Sequence, residues 1–278
     1  MSRTTGVDAE HEVAATTSRP RTVPSIARAV RVLEEVAAAD RALSLSTLSR
    51  ALGIPKSTAY AVCNTLVETN MLERTDAGLY RLGHRVVTLS RGYLRHTHLV
   101  QEFRRICAER RMLRGETIVL SVLDGADVTY IAVEKGDRLV GIQYDVGMTM
   151  PANCSATGKS LLAALPEDEV RRRHGAGAPL RSLTDHSIND LDTLLEELRI
   201  VGGRGWAIDD EETTDGMICV GAPIMRAPMD CVAAIAASFV KATVDSSRLE
   251  EITSETRGLA ATLSERLFGP ALRERSGS

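Results

Sequence analysis

The stretch Gly53–Leu66, GIPKSTAYAVCNTL, decides how the first part of the chain folds. Ala59, Val62, Cys63 and Leu66 recur at helical spacing and form one apolar stripe. Lys56, Ser57, Thr58, Ala61, Asn64 and Thr65 lie on the opposite side, with Tyr60 at its edge. That outer face is short, polar and free of acidic residues. Such a face can enter a DNA major groove, where small donors and acceptors meet base edges and phosphates. The same pattern also describes an ordinary surface helix with few charges, so the flanks have to decide.

Upstream, Ile26, Ala29, Val30, Leu33 and Val36 follow helical spacing after Pro24, with Ser25 as the expected N-cap. Ser46–Leu52 reads as a second helix, its Leu48 and Leu52 facing inward with Leu45. Gly53 ends it, because glycine readily takes the left-handed conformation a helix terminus needs. Ile54 plugs the turn and Pro55 starts the next helix. Two helices joined by a tight Gly-containing turn make a helix-turn-helix. Downstream, Met71–Arg74 and Leu79–Leu82 read as short strands around Asp76-Ala77-Gly78, a wing carrying Arg74 and Arg81. From Arg21 to His96 the chain holds 11 basic and 6 acidic residues, although its overall charge is -3. A basic module on an acidic remainder points to a polyanionic partner for the first part alone. Double-stranded DNA is therefore expected, with Lys56, Ser57, Thr58, Tyr60, Ala61, Asn64 and Thr65 at the bases and Arg74 and Arg81 on phosphates.

Other classes recede on composition. Aromatics make up 3% of the chain, too few for base stacking as a main device. Cys63, Cys107, Cys154, Cys219 and Cys231 are odd in number and far apart, with no CxxC pair. Neither a metal site nor a disulfide framework is expected, and a reducing cytoplasm fits. The first 20 residues have no apolar core of a signal peptide and read as a disordered tail, and residues 271–278 read as a short tail. Cys231–Val240 is too short to span a bilayer, so no membrane is expected.

After the wing, His84–Arg95 and Leu99–Leu113 read as helices. From Thr117 the period changes. TIVLSVLDGADVTYIAVEKG reads as two strands around Asp124-Gly125, and a third is expected over Leu139–Tyr144. Helices follow at Ser155–Leu165, Glu167–Arg173 and Leu191–Val201. Strands are expected at Trp206–Asp210, Ile218–Ile224 and Cys231–Phe239, and a closing helix at Arg248–Phe268. This order indicates an α+β domain with an antiparallel sheet.

Taken together, Leu48–Thr58, Thr65-Leu66 and Tyr80-Arg81-Leu82-Gly83 resemble the isocitrate lyase regulator (IclR) family of bacterial transcription factors. So do Gly115-Glu116-Thr117, Gly147, Pro151, Thr157-Gly158-Lys159, Leu161-Leu162-Ala163, Gly205, Asp209, Glu211-Glu212, Gly216, Cys219-Val220 and Ala222-Pro223. The resemblance runs from about Val23 to Phe268. It implies a winged helix-turn-helix over 21–83, a linker helix over 84–98 and a GAF-like effector domain over 99–270. It also implies self-association as a dimer or dimer of dimers, and operator binding tuned by a small organic effector. Two departures from the family stand out: Ala61 stands where Arg is common, and Met225-Arg226 where a polar or aromatic residue and Asp or Asn are usual.

The resemblance places Asp209, Cys219 and Ser238 in the effector pocket, with Ala236 where a hydroxyl residue is often found. Leu139, Ile142, Met150 and Met217 make the expected pocket apolar. Ala156, Thr157 and Gly158 lie at a helix start, where backbone N–H groups favour an anion. An aromatic or other carboxylate-type effector follows. Gly158-Lys159-Ser160 looks like the end of a P-loop, but Asn153 stands where its first glycine belongs. A repressor is the expected sense. Rival readings are a DNA-binding scaffold whose second domain only oligomerises, and a Cys/His enzyme; no catalytic motif and no cofactor is expected.

Overall fold

Residues 22–109, 115–136, 144–175, 177 and 179–275 are described by a computed structural model. Their contacts divide the chain into two units between Arg91 and Gly92. In the first, α1 (Pro24–Ala37), α2 (Leu45–Leu52) and α3 (Lys56–Glu68) precede a hairpin of β1 (Leu72–Arg74) and β2 (Tyr80–Leu82). Val32, Val36, Leu48, Leu52, Cys63, Leu66, Leu72 and Tyr80 form the core. Ser44 caps α2 by accepting from the Thr47 amide. Gly53 takes φ +63°, and the Ser49 hydroxyl donates to the Ile54 carbonyl at 2.7 Å, which fixes the turn into α3. Leu43 pairs with Tyr80 in both directions, so the lead-in to α2 is tied to the wing. Ser25 does not cap α1: Pro24 begins the helix one residue earlier, leaving Val23 at the cap without a side-chain bond. Helix α4 (Arg85–His96) follows, and α5 (His98–Glu109) begins after Thr97.

The second unit is built on a six-stranded antiparallel sheet in the order β5-β4-β3-β8-β7-β6. The strands are β3 (Thr117–Asp124), β4 (Asp127–Glu134), β5 (Thr149–Pro151), β6 (Ala207–Asp210), β7 (Met217–Ala227) and β8 (Asp230–Val240). Gly125, at φ +62°, opens the two-residue turn between β3 and β4. Ile118, Leu120, Ile218, Val220, Ile235 and Phe239 face the long helix α9 (Ser246–Arg275) and α5. Val119, Tyr130, Cys219 and Ala236 face the other way, towards α6 (Ala156–Leu162) and α8 (Leu191–Arg204), with α7 (Glu167–His174) beside α8. Most of the strand expected at Leu139–Tyr144 lies outside the described residues. On its other side from β3, β4 pairs with β5, which was not expected because it contains Pro151. Pro151 ends an edge strand, where its missing N–H breaks no ladder.

Helix α6 lies close against its neighbours. A Cβ on Gly158 would stand 2.3 Å from the Ala152 Cα, and one on Gly221 would stand 2.4 Å from the Ala156 carbonyl oxygen. Lys159 is 1% exposed and its ammonium pairs with the buried Glu212 carboxylate. The P-loop-like segment is thus no phosphate cradle, since its lysine is spent inside the protein. Burial lifts the Glu212 carboxyl to about 7, against the pull of Lys159.

Gly158→Ala should cost about 1–3 kcal/mol or more in urea unfolding, since the two nearest of the three crowded atoms belong to backbone. Gly203→Ala, in α8 with open space around it, should cost nothing. Glu212 holds its proton more tightly folded than unfolded, where its pKa is 4.5. Its contribution to stability is complete below that value and lost as pH rises through about 7. Glu212→Gln should flatten this part of the stability curve in melts across the range; an unchanged slope would assign it to another group.

Candidate functional site

Helix α3 buries Ala59, Cys63 and Leu66 and turns the opposite face outward. Lys56, Ser57, Tyr60, Ala61 and Thr65 are exposed, and Thr58 and Asn64 are half-buried. The Thr65 hydroxyl donates to the Ala61 carbonyl at 3.1 Å, so it can offer only lone pairs outward. The wing is less free than its sequence implies. Arg81 faces Glu73 across the hairpin, and its Nη2 stands 2.8 Å from a Glu73 carboxylate oxygen. Arg74 lies over the Tyr80 ring, 5.9 Å from its centroid. Sequence reasoning counted Glu73 in the charge balance but did not pair it with Arg81. The signal was present, since two residues flanking a short hairpin turn at equal distance become cross-strand partners.

In the second unit the sheet register brings together residues far apart in sequence. Asp209 pairs with Cys219, Cys219 with Ser238, and Ser238 with Thr117, so all four share one face. Ala236 lies two residues along that face and Met217 two residues the other way, both buried. Met150, on β5, and Ala156, on α6, join the same cluster. Thr157 and Gly158, the next residues of α6, are buried too, and the Thr157 hydroxyl has no hydrogen-bond partner among the described residues. Leu139 and Ile142 lie outside the described residues.

The polar members are already engaged. Asp209 accepts from the Glu212 and Thr213 amides at 2.8 and 3.1 Å and from the Thr213 hydroxyl at 2.6 Å. Its pKa is nevertheless raised, because burial outweighs these donors. Burial and then the Asp209 charge push the Cys219 thiol far up, so it is a thiol and no nucleophile. That thiol donates to the Ser238 hydroxyl at 3.2 Å. The Tyr144 hydroxyl, 3.8 Å from the Cys219 sulfur, closes the row. Sequence reasoning placed Tyr144 at the end of a strand and not in the pocket. Nothing local marks it, because its partner lies 75 residues away.

Among the described residues no group of His, Cys, Asp and Glu could hold a metal, and no helix is long and apolar enough to cross a membrane. Residues 25–76 match the IclR helix-turn-helix domain, and residues 91–265 match the bacterial transcriptional regulator IclR C-terminal domain. The chain is 32% identical to the probable transcriptional regulator SauR of Cupriavidus necator, over 83% of this chain and 91% of that one. The crystal structure of the Agobacterium tumefaciens repressor BlcR is 34% identical, covers 88% of this chain and 98% of its own, and superposes with a TM-score of 0.57. An IclR homologue from Microbacterium hydrocarbonoxydans, complexed with 4-hydroxybenzoate, has a TM-score of 0.66 over 86% of this chain and 97% of its own; at 24% identity it speaks to the fold alone. The C-terminal match by itself spans more than half of the residues, and the chain belongs to the IclR family of DNA-binding transcriptional regulators.

Proposed function

We propose that this regulator reads its operator with the outer face of α3 and that a small organic effector in the second unit tunes the binding. The observation that carries the first half is the exposed, acid-free row Lys56, Ser57, Tyr60, Ala61 and Thr65. Thr58 and Asn64 flank it, and Arg74 and Arg81 take phosphates. Ala61 offers a methyl group to the groove where an arginine would offer a fork of donors, which favours contact with a thymine methyl.

For the second half, the support is a buried, mostly apolar cluster with few polar groups, the usual make-up of a small-molecule site. The buried Thr157 hydroxyl supports a polar head docking beside α6. The effector is an aromatic or other carboxylate-type metabolite. Self-association, as a dimer or dimer of dimers, is supported by exposed apolar residues: Ile26 and Val30 on α1, and Val87, Leu89 and Tyr93 on α4. Repression is supported by the repressor BlcR among the relatives. Action in the cytoplasm follows from the DNA target.

An operator selected from random DNA tests this reading by fluorescence anisotropy. Lys56→Ala should weaken binding to every sequence, while Asn64→Ala should relax preference at one base step by about 1–3 kcal/mol. A thermal-shift and operator-binding screen should favour aromatic acids over glyoxylate; the reverse order would sink the apolar-pocket reading.

The wing yields a separate expectation. Glu73→Gln keeps an acceptor for Arg81 but removes the competing anion. Operator binding should tighten for all sequences, and its salt dependence should steepen by about one phosphate contact. Weaker binding would mean that Glu73 instead aims Arg81 at the DNA.

A further inference from the structure

The pocket row described above already has an occupant. Tyr144 is 4% exposed, and its ring meets Tyr130 edge-on at 5.7 Å. The Cys219 thiol donates to Ser238, so its sulfur lone pairs remain to accept from the Tyr144 hydroxyl. The open space left between Tyr144, Thr117, Met217 and Ser238 is about 50 Å³. A cavity that accepts benzene is about 150 Å³. No aromatic effector fits beside Tyr144, but one fits in its place.

We propose that Tyr144 is an internal stand-in for the effector: its phenol occupies the floor of the pocket in the free chain, and a hydroxyaromatic effector binds by replacing it. This rests on the second unit being the effector sensor. Tyr144 itself shows which chemistry the floor accepts, a neutral hydroxyl on a six-membered aromatic ring. Asp209, the strand neighbour of Cys219, keeps an anion away from that end. The hydroxyl end of the effector therefore points at Cys219 and Ser238, and any carboxylate points away from them. Leaving exposes the Tyr144 ring, a cost that the entering ring offsets by covering the same apolar walls. Tyr144 belongs to no strand among the described residues.

The test uses the full chain and three probes: phenol, toluene and 4-hydroxybenzoate. By calorimetry, Tyr144→Ala should bind phenol and 4-hydroxybenzoate about tenfold tighter than wild type, because the competing occupant is gone. It should prefer phenol to toluene by about fivefold, and Ser238→Ala should erase that preference. In wild type, tetranitromethane should nitrate Tyr144 only when 4-hydroxybenzoate is present. Equal binding of phenol and toluene, no gain over wild type, or a Tyr144 still protected with ligand bound would each overturn the proposal. If Tyr144→Ala does not fold, Tyr144→Phe keeps the ring and loses the hydroxyl hold. It should then bind 4-hydroxybenzoate about threefold tighter, and unchanged or weaker binding would overturn the proposal. Failure here is separable from failure of the sensor reading. A non-aromatic acid that alters operator binding in wild type, with no phenol bound by Tyr144→Ala, leaves the sensor and removes the stand-in. Phenol binding as described, with no compound altering operator affinity, does the opposite.

Discussion

The close approach of α6 to the sheet is the constraint on which the second unit depends. Gly158 against Ala152, and Gly221 against Ala156, let backbone meet backbone with no side chain between. That contact packs α6 on β7 and β8 and sends Lys159 inward. Once inside, a lysine must be paired, because an isolated buried ammonium is costly. Glu212 pairs it, and this draws in the β6–β7 turn. The same turn supplies the amides that hold Asp209. The strap before α8 is tied in as well: Thr184 and Ser187 donate to carbonyls of the turn, and Asn153 donates to the Arg181 and Ile188 carbonyls. One tight contact thus organises the polar wall of the candidate pocket.

The DNA-reading unit solves a different problem with smaller means. Its hydrophobic core is small, so the angle of α3 is set by local bonds: the Gly53 turn, the Ser49 hydroxyl on Ile54, and Leu43 paired with Tyr80. These hold the recognition face outward without using its side chains. Charge is managed in the same local way. Glu73 and the Tyr80 ring hold the wing arginines at the surface, where ion pairs contribute little to stability. Exchanging such a partner for a DNA phosphate therefore costs little, and the wing carries fewer free cations than its sequence suggests.

The parts legible in the sequence are those governed by short spacings. Helical stripes, the Gly53 stop and the Asp124-Gly125 hairpin all depend on residues within one or two turns of each other. They appear in the structure with ends shifted by a few residues. The β6, β7 and β8 strands were readable from their apolar runs. Their lateral order was not, because register is decided by pairings such as Asp209 with Cys219 and Cys219 with Ser238. Asp209, Cys219 and Ser238 were named through family resemblance, and the register gives the physical reason they belong together. Lys159 with Glu212, 53 residues apart, left no local trace.

Tyr144 marks where short spacings stop informing. Its neighbours suggest a strand, and a strand would alternate its side chain by rule. Tyr144 itself belongs to no strand among the described residues, and contacts to Cys219 and Tyr130 hold its ring inward. A side chain held by packing and by hydroxyl contacts to Cys219 and Ser238 can exchange with a ligand of the same shape that makes the same contacts, whereas one fixed in a ladder cannot. That difference in tethering separates Tyr144 from Tyr130, which stands on β4 in the same cluster. Two tyrosines, nearly equal in burial, therefore differ in function: one is wall, and the other is positioned to be displaced.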